Sequence, residues 1–294
     1  MKFIDKEPFL KREEILVIQY LKDCFNEDLH TFYPCIDSDQ SYANFSSPKY
    51  RKGAAGWEHL LLLEQKGRCC YCMRRLKPGA FNIEHVIPRN MKTQKPKEEF
   101  QKYTAASKWL ANHVELDSDF AAIHFTCTED IEKVVRFPHR IAVANFLASC
   151  NGKFSEIGRG CCCNNARSND YLLPLMLMPN VHERMVYDGL SGCVAVFPIE
   201  QSWEKMLQVL NDDTYKEIRI LWFKASKHKE CIEGKDIKSF QLKDRILFMK
   251  EIFEEQNFEN IPCEYHKYAG VPFDDSTYWN LFADFDWFLT YKWR

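Results

Sequence analysis

No stretch of this chain approaches the roughly 18 consecutive apolar residues that a membrane-spanning helix needs, so none of it reads as a bilayer span. The opening residues, Met1 to Arg12 (MKFIDKEPFLKR), have no apolar h-region and do not read as a secretory signal. There is no internal repeat and no long low-complexity linker. A Gly-x-x-x-x-Gly-Lys-Ser/Thr loop is missing, so any nucleotide hydrolysis would have to come from elsewhere. An excess of one charge is missing as well. The formal net charge of −2 exerts no global pull toward nucleic acid, and such binding would need a local patch.

What is present fits an ordinary globular protein. The 294 residues are 46% apolar and 28% charged, enough for one large domain or two modest ones around a buried core. The expected compartment is the cytoplasm, where thiols stay reduced and thirteen cysteines, an odd number, do not form a disulfide framework. Their clustering at Cys69, Cys70 and Cys72 and at Cys161, Cys162 and Cys163 points to a metal instead.

Apolar spacing at Ile15, Ile18, Leu21 and Phe25 predicts a surface helix over Glu13 to Phe25. Tyr33 to Lys52, rich in Ser, Asp, Asn and Pro, reads as loop. Gly56 to Gln65 reads as a helix stopped by Gly67, leading into the first cysteine pair. Lys92 to Lys102 reads as a solvated charged stretch and Ala105 to Val114 as helix, both within an insertion. A strand–turn pattern follows over Val186 to Phe197, with Asp188-Gly189 as its turn. Helices are expected at Gln201 to Leu210, Asp213 to Phe223 and Asp236 to Gln256. The expected organisation is a helical and loop lead over 1–55, a core over 56–180 with an insertion at about 91–144, and a mostly helical C-terminal region over 181–294 that offers a partner-binding surface.

Four features stand between Gly67 and Asp170. In Cys69-Cys70-Tyr71-Cys72, the Cys-x-x-Cys spacing on a tight turn lets two thiolates reach one zinc ion. The bland reading of either cysteine is a small buried hydrophobe. In Ile83-Glu84-His85-Val86-Ile87-Pro88, neighbouring strand residues point to opposite faces, but at a strand end broken by Pro88 both Glu84 and His85 can turn to one site. A carboxylate suits magnesium and a neutral imidazole is a base near neutral pH; the bland alternative is a surface Glu and a structural His. The third feature is Asn145-Phe146-Leu147-Ala148-Ser149-Cys150, and the fourth is the triplet followed by Asn164-Asn165-Ala166-Arg167-Ser168-Asn169. Cys150 and one cysteine of the triplet can complete a four-thiolate zinc site, with Gly152, Gly158 and Gly160 in the loop between.

That order of motifs resembles the four-cysteine branch of the HNH nucleases, over roughly Gly67 to Asp170. GlnLysGlyArgCysCysTyrCys, IleGluHis, AsnPheLeuAlaSerCys, the downstream GluArgMetValTyrAspGly and LeuAsnAspAspThrTyr resemble, more widely, the HNH subunit of Septu-type antiphage systems and its retron-associated relatives. The resemblance implies an α+β fold, a zinc-stapled ββα-metal (His-Me finger) nuclease core embedded in a mostly helical chain. It implies His85 as general base, Asn145 as the residue that holds the catalytic loop, and Glu84 and Asn164 as ligands of a catalytic Mg2+ or Mn2+. It also implies structural Zn2+ on Cys69, Cys72, Cys150 and Cys163, with Cys163 chosen from the triplet because CysAsnAsnAlaArgSerAsn fits the family phrase. Two positions depart from the pattern: Arg167 stands where Lys is usual, and Asn169 stands where the last His would be.

Charge fits a polyanion locally. Nine basic residues lie from Lys66 to Lys97, and the only acid there is Glu84, as expected of a metal ligand beside phosphate contacts. The expected substrate is nucleic acid, DNA ahead of RNA or tRNA. From Glu251 to Arg294 nine acids face three Lys or Arg among thirteen aromatics; most of these aromatics read as core, and the rest suit a partner surface. Septu-like relatives act with an ATPase subunit, so the resemblance implies a hetero-oligomer with one. Two competing readings are a zinc treble clef that grips nucleic acid or protein without cutting, and a thiol redox protein using Cys69 and Cys72. The latter usually accompanies a βαβ pattern, which is not found.

Overall fold

The structure, a computed structural model, describes all residues except 92–93, 151–152, 155–158, 161–162, 229–232, 242, 246, 249–275 and 294. Helices and strands are mixed, and each sheet among the described residues has two strands. The chain gathers into two units. Met1–Cys70, Leu76–Ser149 and Ser168–Val181 form the first; Tyr71–Arg75, Cys150–Arg167 and His182–Arg294 form the second.

In the first unit, α1 (Leu10–Cys24) buries Val17, Tyr20, Leu21 and also Glu13. The predicted stripe is rotated, and Ile15 is 57% exposed. The cause is Lys6, whose buried Nζ meets Glu13 at 2.7 Å and Glu64 at 2.6 Å and so turns Glu13 inward. A short hairpin of β1 (Phe25–Asn26) and β2 (Thr31–Phe32) follows. The segment expected as loop, Tyr33 to Lys52, holds two helices, α2 (Asp39–Phe45) and α3 (Pro48–Arg51). Ser38 and Ser47 stand extended at the N-caps without side-chain capping bonds, and Pro48 opens α3. Tertiary packing decides the outcome, since Phe45 and Tyr50 bury against Tyr20 at ring distances of 5.1 and 5.3 Å. Helix α4 (Trp57–Glu64) buries Trp57, Leu60 and Leu61, and Gly67 closes its end at φ 65° as its sequence position predicts.

Strand β3 (Asn82–His85) pairs antiparallel with β6 (Phe146–Ser149), with Glu84 opposite Leu147 and His85 opposite Phe146. The insertion between them carries α5 (Pro96–Ala106) and α6 (Lys108–His113), so part of the charged stretch is helical. It continues through β4 (Val114–Glu115), α7 (Asp117–Ala121), α8 (Thr128–Ile131) and β5 (Phe137–Pro138). Strands β4 and β5 pair in parallel, and the amide of His139 extends that ladder to the Glu115 carbonyl at 2.9 Å. This pairing brings Asp117, His139 and Arg140 to one place.

In the second unit, β7 (Lys153–Phe154) pairs with β8 (Arg159–Gly160), and α9 (Asn164–Arg167) follows. After α10 (Val181–Arg184), β9 (Met185–Tyr187) and β10 (Val194–Val196) form the expected hairpin. Asp188 organises its turn by accepting from the amides of Leu190 and Ser191. Helices α11 (Glu204–Leu210) and α12 (Asp213–Ser226) stand close to the predicted spans. Of the helix expected over Asp236 to Gln256, much lies outside the described residues. Helix α13 (Ser276–Ala283) seats Phe282 flat on Trp222, at 4.5 Å and 3°. Trp279, Phe282, Phe285 and Phe288 are buried, as the core reading of the tail aromatics expects.

Candidate metal centre and the His85 face

The turn bearing Cys69 and Cys72 is fastened to β6 by one side chain. Gln65 Nε2 donates to the carbonyls of Arg68 at 2.6 Å and Ala148 at 2.7 Å, and its Oε1 accepts from Ala148 N at 2.7 Å. The Cys70 amide adds a bond to Ala148 O at 3.0 Å. Cys150 follows directly on β6. Met73, just after Cys72, adopts φ 66°, and Cys163 adopts φ 53°; both are left-handed positions that tighten the chain around the sulfurs.

The Sγ atoms of Cys69, Cys72, Cys150 and Cys163 all lie within 4.8 Å of one another, and all four residues are buried. Cys72 Sγ stands 3.9 Å from Cys150 Sγ. That is far beyond a disulfide bond of about 2.05 Å. It is close to the edge of about 3.8 Å in a tetrahedron built on Zn–S distances of about 2.3 Å. Four convergent thiols in a buried pocket are a donor set that could hold a metal such as zinc. Tyr215 Oη lies 3.9 Å from Cys163 Sγ. Cys70 is buried on the same turn but is not a member of the cluster. Cys161 and Cys162 lie outside the described residues.

His85 ends β3, still paired with Phe146, and Val86 N donates to Asn145 O at 3.0 Å. From there a side chain takes over the ladder. Asn145 Oδ1 accepts from Ile87 N at 2.8 Å, and its Nδ2 donates to Ile87 O at 2.9 Å and to His139 O at 2.8 Å. Asn145 is wholly buried and fixes the turn into Pro88 from both sides. Glu84, at 3% exposure, precedes His85 on the strand. Asn164 opens α9 immediately after Cys163.

His85 is 9% exposed. The rings of Tyr42 and Phe146 lie 4.9 and 4.6 Å from it. Its Nε2 donates to the Arg140 carbonyl at 3.2 Å, which makes Nε2 the protonated nitrogen of the neutral ring and leaves the lone pair on Nδ1. Burial, with Arg89, His139 and Arg140 nearby, pushes the imidazole down to about 3, so it is neutral at pH 7.

The peptide that receives His85 and Asn145 is itself held by Asp117. This carboxylate accepts from Arg140 N at 3.1 Å, meets His139 Nδ1 at 2.7 Å, and lies 3.3 Å from Arg140 Nε. Asp117, His139 and Arg140 are separated by 22 residues of chain and carry no motif, so the linear sequence gives no signal for them. Tyr42 is missed for the same reason, lying in a segment expected to be loop.

The basic stretch is less open than its composition implies. Arg74 pairs with Asp284 at 3.1 Å and Arg75 with Asp286; Lys95 pairs with Glu98 at 3.0 Å and Lys97 with Asp119 at 2.8 Å. At least four of the nine basic residues are therefore paired within the chain, and two acids of the tail are spent on Arg74 and Arg75 in the process. Among the described residues no helix is long and apolar enough to cross a membrane. No family model matches the chain, and neither a curated protein nor a solved structure matches it.

Proposed function

We propose that the chain is a metal-dependent HNH endonuclease that hydrolyses phosphodiester bonds in nucleic acid. The observation that carries the reading is the Asn145 clamp: a buried amide that locks the turn after His85 while the adjoining strand leads into a four-cysteine cluster. This combination supports the motif order Cys-x-x-Cys, Glu-His, Asn, Cys, Cys-Asn as a single device. Zinc on the four thiols would staple the segment and take no part in the chemistry. Glu84 and Asn164 offer the hard oxygen donors that suit Mg2+ or Mn2+. Such an ion, when bound, would stabilise the leaving oxygen. His85, neutral at pH 7, would take a proton from the attacking water. The resemblance to Septu-type HNH subunits is the ground for assigning the enzyme to a bacterial antiphage complex with an ATPase partner.

A second reading is favoured by one observation. His85 is a covered residue between two aromatic rings, as a core histidine would be in a zinc treble clef that binds nucleic acid or protein without cutting. Cleavage of plasmid, single-stranded DNA and tRNA, with and without Mg2+ or Mn2+ and the product of the adjacent gene, separates the two. The nuclease reading expects metal-dependent cutting that falls by at least about 100-fold in His85→Ala, with zinc content unchanged. Cutting by His85→Ala at the parent rate in single turnover sinks it and leaves the binding module.

A further inference from the structure

We propose that Arg89, carried on the ring of Tyr42, is the phosphodiester-binding residue of the His85 face. This rests on the reading that nucleic acid approaches that face. Arg89 follows Pro88, four residues after His85. Its guanidinium carbon lies 4.4 Å over the Tyr42 ring, and the same ring meets His85 edge-on, at 4.9 Å and 72°. Tyr42 thus touches both Arg89 and His85, and these side chains are presented by α2 and by the turn that Asn145 clamps.

Two arginines border this face, and their bonding separates their roles. Arg140 is spent on the protein. Its Nε donates to the Arg89 carbonyl at 3.1 Å, its Nη1 donates to the Asp37 carbonyl, and Asp117 lies beside it. Arg140 thereby fixes the backbone of Arg89. Among the described residues the Arg89 guanidinium has no hydrogen-bond or ion-pair partner, and it lies on the Tyr42 face. An arginine stacked on an aromatic ring keeps its planar fork oriented and all its N–H donors available. That fork matches two oxygens of a phosphodiester. The half-buried position also keeps the charge close to His85, where a scissile phosphate would have to sit.

The test is binding of the zinc-loaded full chain to a short labelled DNA duplex and to a labelled single-stranded RNA, without divalent ions, over a salt series. Cleavage does not enter this readout. Arg89→Ala is expected to lower affinity about tenfold and to reduce the DNA salt slope by about 0.9, the signature of one lost phosphate contact. Arg89→Lys should restore the slope but only part of the affinity. Tyr42→Ala should weaken binding and keep the slope, because the charge stays while its platform goes. Zinc content and circular dichroism equal to the parent establish that each variant is folded. Parent-like slope and affinity in Arg89→Ala overturn the assignment while leaving nucleic-acid binding intact. A parent chain that binds neither probe at low salt overturns this assignment and the nuclease reading together.

Discussion

Asn145→Ala tests whether the clamp is as important as its geometry makes it. The substitution removes one acceptor and one two-proton donor, so three backbone groups lose their partners: Ile87 N, Ile87 O and His139 O. Asn145 is 0% exposed, and water has no ready access to replace it. Each buried polar group left unpaired costs about 1–3 kcal/mol, which puts the loss at roughly 3 kcal/mol or more. That is a large share of the 5–15 kcal/mol that typically holds a protein folded. Asn145→Asp separates hydrogen bonding from volume. It keeps the shape and the acceptor for Ile87 N but turns an oxygen toward two carbonyls, so it should cost at least as much. The assays are denaturant midpoints of the zinc-loaded chain and hydrogen exchange at the Ile87 amide. Alanine should abolish protection at Ile87. If both variants stay within about 0.5 kcal/mol of the parent, the range of ordinary surface substitutions, and Ile87 stays protected, the clamp argument is wrong.

Elemental analysis of the purified chain should give close to one zinc, and Cys72→Ser or Cys150→Ser should lose both the metal and thermal stability, whereas Cys70→Ser should retain the metal. Glu64→Gln should be more stable than the parent at pH 7 and equal to it at pH 4. Burial raises the Glu64 carboxyl well above its ordinary value of 4.5 despite Lys6 beside it, so its favourable protonated form is fully present below that value and lost as pH rises toward the folded value; equal differences at both pH values in urea titrations would exclude this. Asp117→Ala should free the 139–140 peptide, so that nitrogen NMR of His85 shifts from a single Nε2–H tautomer to a mixture while zinc content stays constant; an unmoved His85 signal would mean that Asp117 does not position it.

Local chemistry made part of this molecule legible. Gly67 follows α4 at φ 65°, just after Lys66 at φ 52°, a left-handed pair that turns the chain away from the helix, and Asp188 marks the β9–β10 turn because its carboxylate caps the amides that follow. The four sulfurs could be named from spacing and family phrase because a metal demands a fixed number of donors on short turns. What could not be read depends on contacts distant in sequence. Helix α2 was hidden because its Ser and Asp residues suit loops and caps alike, and only the burial of Phe45 against Tyr20 decides between them. The rotated face of α1 needed Lys6, whose partnership with Glu13 and Glu64 has no signature in periodicity. Counting charges from Lys66 to Lys97 overstated the open patch, because Asp284 and Asp286 lie some 200 residues away in sequence and yet pair with Arg74 and Arg75.

The cover over His85 includes Tyr42 of α2. Two rings shield the imidazole, and they are not equivalent. Phe146 is fully buried and locked in the β3–β6 ladder, so exposing His85 on that side would break the sheet. Tyr42 is half-buried on a helix of seven residues whose N-cap has no side-chain hydrogen bond, and Arg89 lies over its ring. The less costly way to bring water to His85 is therefore to shift Tyr42, and a ligand that drew the Arg89 guanidinium outward would act on the ring that Arg89 covers. An imidazole held neutral by burial would regain basicity as water and phosphate reach it, because desolvation is the largest cause of its depression. Under the nuclease reading, substrate held at Arg89 would lie against the ring that covers His85.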